Sequence, residues 1–430
     1  MKSELIVINN YNIVLNLRKS SKTTMVETFV SNGTIHENTN NAGISHLLEH
    51  VVTEGWKKCS NKPCSDYWKK KGVITNASTG LTNIRYYMEG LNKYTIEMLD
   101  YITSITTNPI ITKSRTEKEK KAVNNELLIH AAQPYNELYD LTNKLLFRIE
   151  GLIHQDDTKL QIKNLKHINE DTLRTWAKKF YGAGNIVIVV TGNFNTTKVK
   201  SLLKRKLHKT NTVRVIPKFS DIFIQGTNIG YIKNKTIDNT NIVFTFHSPL
   251  YQKDPEVFYI DFFKEFVGSG ISSLLMEELR EKKKLIYNIE VESNTLPYGT
   301  FISIFISTKN KHIKEVIINT IKILKQLING RFSNDYMDYI KKTYLVKYYS
   351  SCFNNNYLSD FYGIQYINQI YSDESSVILS PEDVRSSILK LSKINFILFV
   401  KRLIILSNMK IAYQGKVEVK NLKNIVLNNI

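Results

Sequence analysis

Two short patterns occur twice in the chain, and their spacing limits the possible folds more than any other feature. Residues 43–48 read Gly-Ile-Ser-His-Leu-Leu, and residues 270–275 read Gly-Ile-Ser-Ser-Leu-Leu. Residues 185–192 and 408–415 share the pattern Asn-x-x-Ile-x-x-x-Gly. The two offsets, 227 and 223 residues, are nearly equal. A constant offset of this length indicates two copies of one domain rather than a solenoid of short repeats.

Both halves combine strands near their ends with helices between them, which predicts an α+β fold. Strand patterns, either alternating or continuously apolar, occur at residues 4–17, 24–30, 82–90 and 185–192, and again at 229–232, 241–246, 287–293 and 300–307. Helical patterns occur at residues 116–132, 134–149 and 171–180, and again at 254–267, 272–283 and 313–327. We therefore expect two duplicated domains, each a mixed, mainly antiparallel sheet packed with helices.

The domain boundaries follow from the offset between the copies. Residues 204–220 are basic, contain a proline and show no clear period, which is typical of a linker. We expect an N-terminal domain at residues 1–205, a linker at 206–220 and a C-terminal domain of the same fold at 221–430.

The composition is that of a soluble globular protein, with 42% hydrophobic and 23% charged residues in a chain of 430. Residues 1–8 resemble neither a signal peptide nor an organelle presequence, and no uncharged apolar stretch reaches the ~18 residues of a membrane span. We expect a cytoplasmic protein without membrane contact or, because the Asn- and Ile-rich composition also fits a large DNA virus, one of the host cytoplasm or the virion. Three scattered cysteines, Cys59, Cys64 and Cys352, are expected to be reduced thiols.

The formal net charge of +20 raises the alternative of a basic core protein that binds nucleic acid. However, Lys-rich runs such as residues 117–121 and 281–284 include acids on helical patterns, which is typical of a solvated helix face. Net charge bears on non-specific binding rather than on fold. Nucleic acid is therefore the less favoured partner, and a salt-dependent gel shift would support it.

The first copy of the repeated pattern contains His46, Glu49 and His50 in the order His-x-x-Glu-His. Two imidazoles four residues apart lie on one face of a helix, and the intervening carboxylate is close enough to share a site with them. This order is the inverted form of a common zinc-protease motif. The alternative is a helix that carries two histidines by chance.

A catalytic zinc requires a third protein ligand, and Glu126 is the best candidate. It lies on the predicted helix at residues 116–132, seven residues after Glu119 on the same face. Two carboxylates on an otherwise apolar stripe are costly unless they are paired or bound to a metal. The alternative is that both are solvated acids of a Lys-rich helix.

With these motifs in order, the chain resembles the pitrilysin-type, or inverzincin, zinc metalloproteases along nearly its whole length. Residues 46–50 fit the family's zinc helix, and Glu119 and Glu126 fit its paired glutamates. The other matches are the edge strand Asn76-Ala77-Ser78-Thr79 followed by Tyr86-Tyr87, the closing strand at residues 181–194, and Leu279-Arg280-Glu281 followed by Tyr287. Leu47 and residues 53–56 depart from the family pattern, which leaves the subfamily and the substrate preference open.

The resemblance implies a zinc-dependent endopeptidase with one Zn²⁺ per chain, bound by His46, His50 and Glu126 in the N-terminal domain. Glu49 is then the general base that activates water, and Glu119 orients a ligand or the water. The C-terminal copy lacks the metal ligands.

The resemblance also implies how substrate binds. Arg280 holds the substrate backbone, and Tyr287 stabilises the oxyanion of the transition state. The substrate, a peptide or an unfolded protein segment, adds as an extended strand along residues 76–79, namely Asn76, Ala77, Ser78 and Thr79.

A chain of this length has half the domains of the four-domain relatives, which enclose their substrate in a chamber. The resemblance therefore implies a homodimer, or a heterodimer with a related subunit. An inactive scaffold or core subunit of the same fold remains an alternative, although every catalytic position matched here is intact.

Overall fold

The computed structural model describes residues 2–59, 63–210, 214–217, 219, 221–251, 254–270, 272–371 and 377–430. They form two compact units. The first comprises Met1–Ala131, Ile149–Lys218 and Ser350–Ile378, and the second comprises Ala132–Arg148, Phe219–Tyr349 and Leu379–Ile430. Across the described ranges, no helix combines the length and the apolar character needed to cross a membrane.

The sheet of the first unit has six strands. They are β1 (Lys2–Ile8), β2 (Tyr11–Leu17), β3 (Thr23–Val30), β4 (Ile74–Thr79), β5 (Ile84–Leu91) and β6 (Ile186–Gly192), in the spatial order β1-β2-β6-β3-β5-β4. Only β2 and β6 pair in parallel. Asn9 and Asn10 join β1 to β2 with positive φ angles of 50° and 68°, which asparagine tolerates in a two-residue hairpin.

The sheet of the second unit has five strands. They are β7 (Asn228–Lys233), β8 (Asn239–Ser248), β9 (Ile286–Leu296), β10 (Gly299–Lys309) and β11 (Lys410–Gly415), in the order β7-β11-β8-β10-β9. Again one pair, β7 and β11, is parallel and the others are antiparallel. The order matches β2-β6-β3-β5-β4 strand for strand. The predicted duplicated α+β fold is therefore confirmed, and the two Asn-x-x-Ile-x-x-x-Gly segments form the equivalent strands β6 and β11.

The described residues form the following α-helices, numbered in chain order: α1 (Ile44–Thr53), α2 (Cys64–Lys69), α3 (Thr95–Thr107), α4 (Lys113–Ala131), α5 (Asn136–Leu146), α6 (Glu150–Ile153), α7 (Thr158–Leu165), α8 (Glu170–Phe180), α9 (Thr196–Lys206), α10 (Tyr259–Val267), α11 (Ile313–Ile328), α12 (Asn334–Cys352), α13 (Asn355–Gln369), α14 (Pro381–Lys390), α15 (Lys393–Leu403) and α16 (Leu422–Leu427). Short 3₁₀ turns lie at Thr34–His36, Lys57–Cys59, Asn92–Tyr94, Pro255–Phe258, Asn310–His312 and Leu406–Asn408. The helix predicted at residues 272–283 is instead a π-helix at Met276–Lys282. Ile271, in the second copy of the Gly-Ile-Ser pattern, lies outside the described residues.

The two units interleave along the chain, unlike the contiguous domains expected at residues 1–205 and 221–430. Helix α5 precedes the expected boundary but belongs to the second unit, where Leu138, Leu141 and Leu145 pack against Val243 and Ala412 of its sheet. Of the expected linker, residues 211–213, 218 and 220 lie outside the described residues. The preceding helix, α9, ends at Lys206.

Helix α13 is the reciprocal case, since it follows the expected boundary and belongs to the first unit. Tyr362, Tyr366 and Ile367 pack there against buried side chains of β2, β3 and β6. One face of the first sheet therefore packs against α13, while its other face forms the large core shared with α1 and α3. The candidate metal-binding residues described next belong to this first unit.

Candidate metal centre

Helix α1 presents its polar residues on one side because its other side is anchored in the core. Apolar residues recur at helical spacing and are fully buried, namely Ile44, Leu47, Leu48, Val51 and Val52. The carboxylate of Glu37 accepts hydrogen bonds from the backbone N–H groups of Gly43 and Ser45, at 2.8 and 2.9 Å. These bonds satisfy N–H groups that have no partner within the helix. Burial raises the pKa of Glu37, and the two bonds partly oppose this shift.

The structure brings His46, His50 and Glu126 together. Nε2 of His46 lies 3.5 Å from Oε2 of Glu126, and Nε2 of His50 lies 3.3 Å from the same oxygen. The two imidazole rings are 4.9 Å apart between centroids. Among the described residues, this is the group of three potential ligand side chains that could hold a metal ion, with its ligand atoms within 4.8 Å of one another.

These separations fit a zinc ion. Ligand atoms about 2.0–2.1 Å from a tetrahedral zinc lie about 3.4 Å from each other, close to the two distances measured to Glu126. Two histidines and one glutamate are also a donor set of catalytic zinc sites, which leave a fourth position open. The residues present therefore fit the ion that the sequence predicts.

Helix α4 contributes both glutamates from the side that packs against α1. Glu119, Val123 and Leu127 are buried at helical spacing, whereas the Glu126 side chain remains 47% exposed beside them. Interaction with His46 is the largest cause that lowers the pKa of Glu126. The alternative that both are solvated surface acids does not hold for Glu119, whose side chain is only 9% exposed.

Glu119 lies behind His50 and outside the group formed by His46, His50 and Glu126. Its Oε2 is 3.7 Å from Nδ1 of His50, the ring nitrogen opposite the one that faces Glu126. A carboxylate in this position fixes the orientation of a metal-binding imidazole. Burial raises the pKa of Glu119, but His50 and Lys118 outweigh it and the net shift is downward. Burial lowers the pKa of His50, but Glu119 and the other carboxylates raise it by more, so the net shift of this pKa is upward.

Glu49 is buried beside the two histidines on α1. Its Oε2 accepts a hydrogen bond of 2.6 Å from the Thr79 hydroxyl at the end of β4. Burial raises the pKa of Glu49, although His46 and Thr79 oppose the shift. A carboxylate whose pKa is raised towards neutrality is suited to accept and return a proton. Sequence reasoning assigned Thr79 to substrate binding and missed this contact, because the two residues are 30 positions apart.

Strand β4 carries the predicted substrate-binding residues and lies at the edge of the first sheet, with β5 as its strand neighbour. Ala77 and Thr79 are partly buried, and Ala77 packs against the core shared with α1. Asn76 and Ser78 alternate with them and are exposed. An edge strand of this kind presents backbone groups on its open side, where an added strand can pair.

Arg280 and Tyr287 lie in the second unit, Arg280 on the π-helix and Tyr287 on β9. Their side chains are about half exposed, with Arg280 next to Glu281 at 3.8 Å.

Comparison with known proteins indicates the same class of protein as the motifs, namely the zinc-protease-like proteins. A family model described as "Insulinase (Peptidase family M16)" matches residues 12–153, and one described as "Peptidase M16 inactive domain" matches residues 167–344. The chain is 23% identical over 282 residues to an uncharacterized zinc protease of Rickettsia felis, covering 66% of this chain and 67% of the relative. It is 22% identical over 311 residues to a non-peptidase homolog, YmxG, of Helicobacter pylori, covering 70% and 69%.

A solved structure described as a protease from Helicobacter pylori has the same fold. It matches with a TM-score of 0.84 at 17% identity, over 96% of this chain and 99% of that one. Fold, sequence relatives and family models together define a protein of the zinc-protease-like class. The chain belongs to peptidase family M16, which confirms the resemblance to the pitrilysin-type proteins.

Proposed function

We propose that the chain is a zinc endopeptidase that cleaves extended peptides or unfolded protein segments. The observation that carries the proposal is the grouping of His46, His50 and Glu126 with Glu49 buried beside them. A scaffold protein of the same fold has no need of a complete donor set with a base next to it.

The proposed chemistry divides among these residues. A zinc ion held by His46, His50 and Glu126 would supply Lewis acidity, which would polarise a peptide carbonyl and lower the pKa of bound water. Glu49 accepts the proton of the attacking water and returns it to the leaving amine. Thr79 holds one oxygen of Glu49 through its hydroxyl, which leaves the other oxygen for proton transfer. Glu119 keeps the His50 ring in position from behind.

One zinc per chain follows from the second copy of the motif. There Ser273, Met276 and Glu277 stand where the first copy has His46, Glu49 and His50. The Ser273 hydroxyl donates to the Gly270 carbonyl at 2.7 Å, as a local turn contact. A serine, a thioether and one carboxylate do not reproduce the donor set of a zinc site.

The test compares the parent with Glu49→Gln on an unfolded casein substrate. We expect the variant to keep zinc, because Glu49 is not a ligand, and to lose cleavage, because an amide is not a base. Glu117→Gln is the matched control, since Glu117 is an exposed glutamate of α4 that pairs with Lys120. Equal cleavage by the parent and Glu49→Gln would contradict the proposal.

An inactive scaffold subunit is the second candidate, favoured by the relative named a non-peptidase homolog. It predicts that the purified parent has no activity above the Glu49→Gln variant on any substrate, even with zinc bound. A cleavage profile of a whole-proteome peptide library, compared between the two proteins, separates the candidates. Sites cut only by the parent support the peptidase.

We further propose a dimer in which each metal centre is completed by the partner's Arg280 and the partner's Tyr287. Their half-exposed side chains are available to a facing surface. Mixing Glu49→Gln with Tyr287→Phe under conditions of subunit exchange tests this proposal. Half of the random dimers would carry one intact site, so roughly a quarter of the parental activity should return. No recovery despite demonstrated exchange would contradict the shared site.

A further inference from the structure

A cluster of charged groups lies next to the edge strand β4, where β5 meets α13. Arg85 of β5 donates from Nε to Glu27 of β3 and lies 2.9 Å, through Nη2, from Oδ1 of Asp360. The same nitrogen donates to the Asn356 side chain at 2.6 Å. Glu27 is fully buried, and the Arg85 side chain is 19% exposed.

Such a cluster is not explained by stability alone. Burying charges costs solvation energy, and well-packed apolar side chains in their place are often equally stable or more stable. The neighbouring contact between α13 and the sheet is apolar, with Phe29, Tyr362 and Ile367 buried together. Holding α13 in place therefore does not require a guanidinium group at this position.

The guanidinium has a fourth contact, which leads towards the edge strand β4. Its central carbon lies 4.4 Å from the centroid of the Tyr87 ring, a favourable cation–π distance. The Tyr87 hydroxyl accepts a hydrogen bond of 3.1 Å from Nδ2 of Asn76 on β4. Oδ1 of Asn76 in turn accepts the backbone N–H of Ala77 at 2.9 Å. The contacts thus run from α13 through Arg85, Tyr87 and Asn76 to the backbone of β4.

The Ala77 N–H is relevant to substrate pairing. An amide N–H supplies one hydrogen, and here Oδ1 of Asn76 accepts it. The Gly80 N–H bonds to the Asn83 carbonyl, so by the alternation of an antiparallel pair the N–H of Ala77, three positions earlier, faces away from β5. Side chain and N–H therefore meet on the open side of the edge, where an added strand pairs. The position of the Asn76 carboxamide determines how that N–H is presented.

We propose that Arg85 is a positioning residue for peptide binding, which holds Tyr87 and, through it, the Asn76 carboxamide at the open edge of β4. This inference rests on the proposed peptidase function and adds to it. Helix α13 thereby shapes the edge, because its residues Asp360 and Asn356 fix the guanidinium. The metal ligands and Glu49 take no part in these contacts.

The experiment measures peptide binding separately from cleavage. The probe is an unstructured, fluorescein-labelled 15-residue casein peptide, and its Kd is measured by fluorescence anisotropy with zinc-loaded Glu49→Gln protein. Arg85→Met and Tyr87→Phe are each added to this background. Since one net hydrogen bond contributes about 1 kcal/mol, we expect Tyr87→Phe to raise Kd about fivefold. Arg85→Met should raise Kd at least as much, with zinc content unchanged.

Arg18→Ala is the matched control for loosening of α13. Arg18 donates to the Phe353 carbonyl at 2.9 Å and to Asn355 Oδ1 at 2.7 Å, so it holds the start of α13 through contacts other than those that run along β5 and β4. We expect it to lower thermal stability without changing Kd. Because Arg85→Met leaves buried carboxylates unpaired and could prevent folding, Tyr87→Phe is the second variant, which removes only a hydroxyl.

The outcomes separate the two proposals. A parental Kd in folded Tyr87→Phe and Arg85→Met proteins would overturn the positioning role, as would an equal rise in Arg18→Ala. In the cleavage-competent background, the positioning role predicts a raised KM with kcat retained. Binding that depends on Arg85, in a parent that cleaves no peptide, would instead refute the peptidase and leave the positioning role standing.

Discussion

Replacing Gly363 with alanine tests the packing of α13 on the first sheet. A Cβ atom at this position would lie 2.0 Å from Cε2 and 2.4 Å from Cζ of Phe29, which is itself fully buried in β3. Carbon atoms in contact are normally about 3.5–4.0 Å apart, so the helix or the ring has to move by more than 1 Å, by the same geometry. Overpacking of a core by this kind of change costs about 1–3 kcal/mol.

The expected sign is opposite to that of an ordinary helical glycine. In an exposed helix interior, glycine to alanine stabilises by about 1 kcal/mol. A clash this close should cost an amount at the upper end of the overpacking range, about 3 kcal/mol. The ordinary gain from glycine to alanine offsets about 1 kcal/mol of this cost, so we expect a net destabilisation of about 2 kcal/mol. For a unit of roughly 200 residues this corresponds to a fall in Tm of about 4–8 °C.

The assay is thermal unfolding followed by circular dichroism, with Gly363→Ala compared with the parent and with the double variant Phe29→Leu/Gly363→Ala. The smaller leucine makes room, so the cost of adding the methyl group should be smaller in the Phe29→Leu background than in the parent. A rise in Tm in Gly363→Ala alone would refute the placement of α13 against Phe29.

Four further substitutions test the site and the pH response. Glu126→Gln should lose zinc in a chelator competition, whereas Glu119→Gln should weaken binding only about 10–100-fold, and equal losses would contradict their separate roles. Thr79→Val should lower kcat while zinc content stays constant, since it removes the hydroxyl that orients Glu49. Burial lowers the pKa of His247 to about 4, so the unfolded chain binds the proton more readily, and stability should fall as pH drops from 6.5 to 4. His247→Gln should remove up to about 3 kcal/mol of this loss, measured by urea unfolding at the two pH values, and an unchanged pH dependence would contradict the assignment.

Features set by neighbouring residues could be predicted from the sequence. The continuous apolar run at residues 186–190 lies in the buried strand β6, and the helical pattern at residues 171–180 falls within α8, which Asn169 caps through its side-chain oxygen. The placement of His46 and His50 on one face of α1 also follows from helical spacing. The position of Glu126 does not follow from helical spacing alone, because its distance to the histidines depends on how α4 packs against α1.

Features set by distant residues could not be predicted. An apolar stripe shows that a helix is buried but not against which sheet, so α5 was assigned to the first domain and α13 was not predicted at all. The contact between Arg85 and Asn356 spans 271 residues, and the sequence around each gives no sign of the other. The contact of the Thr79 hydroxyl with Glu49 was likewise not predicted, because the edge-strand pattern accounts for Thr79 equally well.

Anomalous diffraction at the zinc absorption edge tests the central claim most directly, with crystals of zinc-loaded parent protein. The account predicts one strong peak per chain, within about 2.0–2.2 Å of Nε2 of His46, Nε2 of His50 and a carboxylate oxygen of Glu126, with Glu49 nearby but not coordinating. A peak of equal strength in the second unit, coordination by Glu119 in place of Glu126, or no peak at these residues would contradict it.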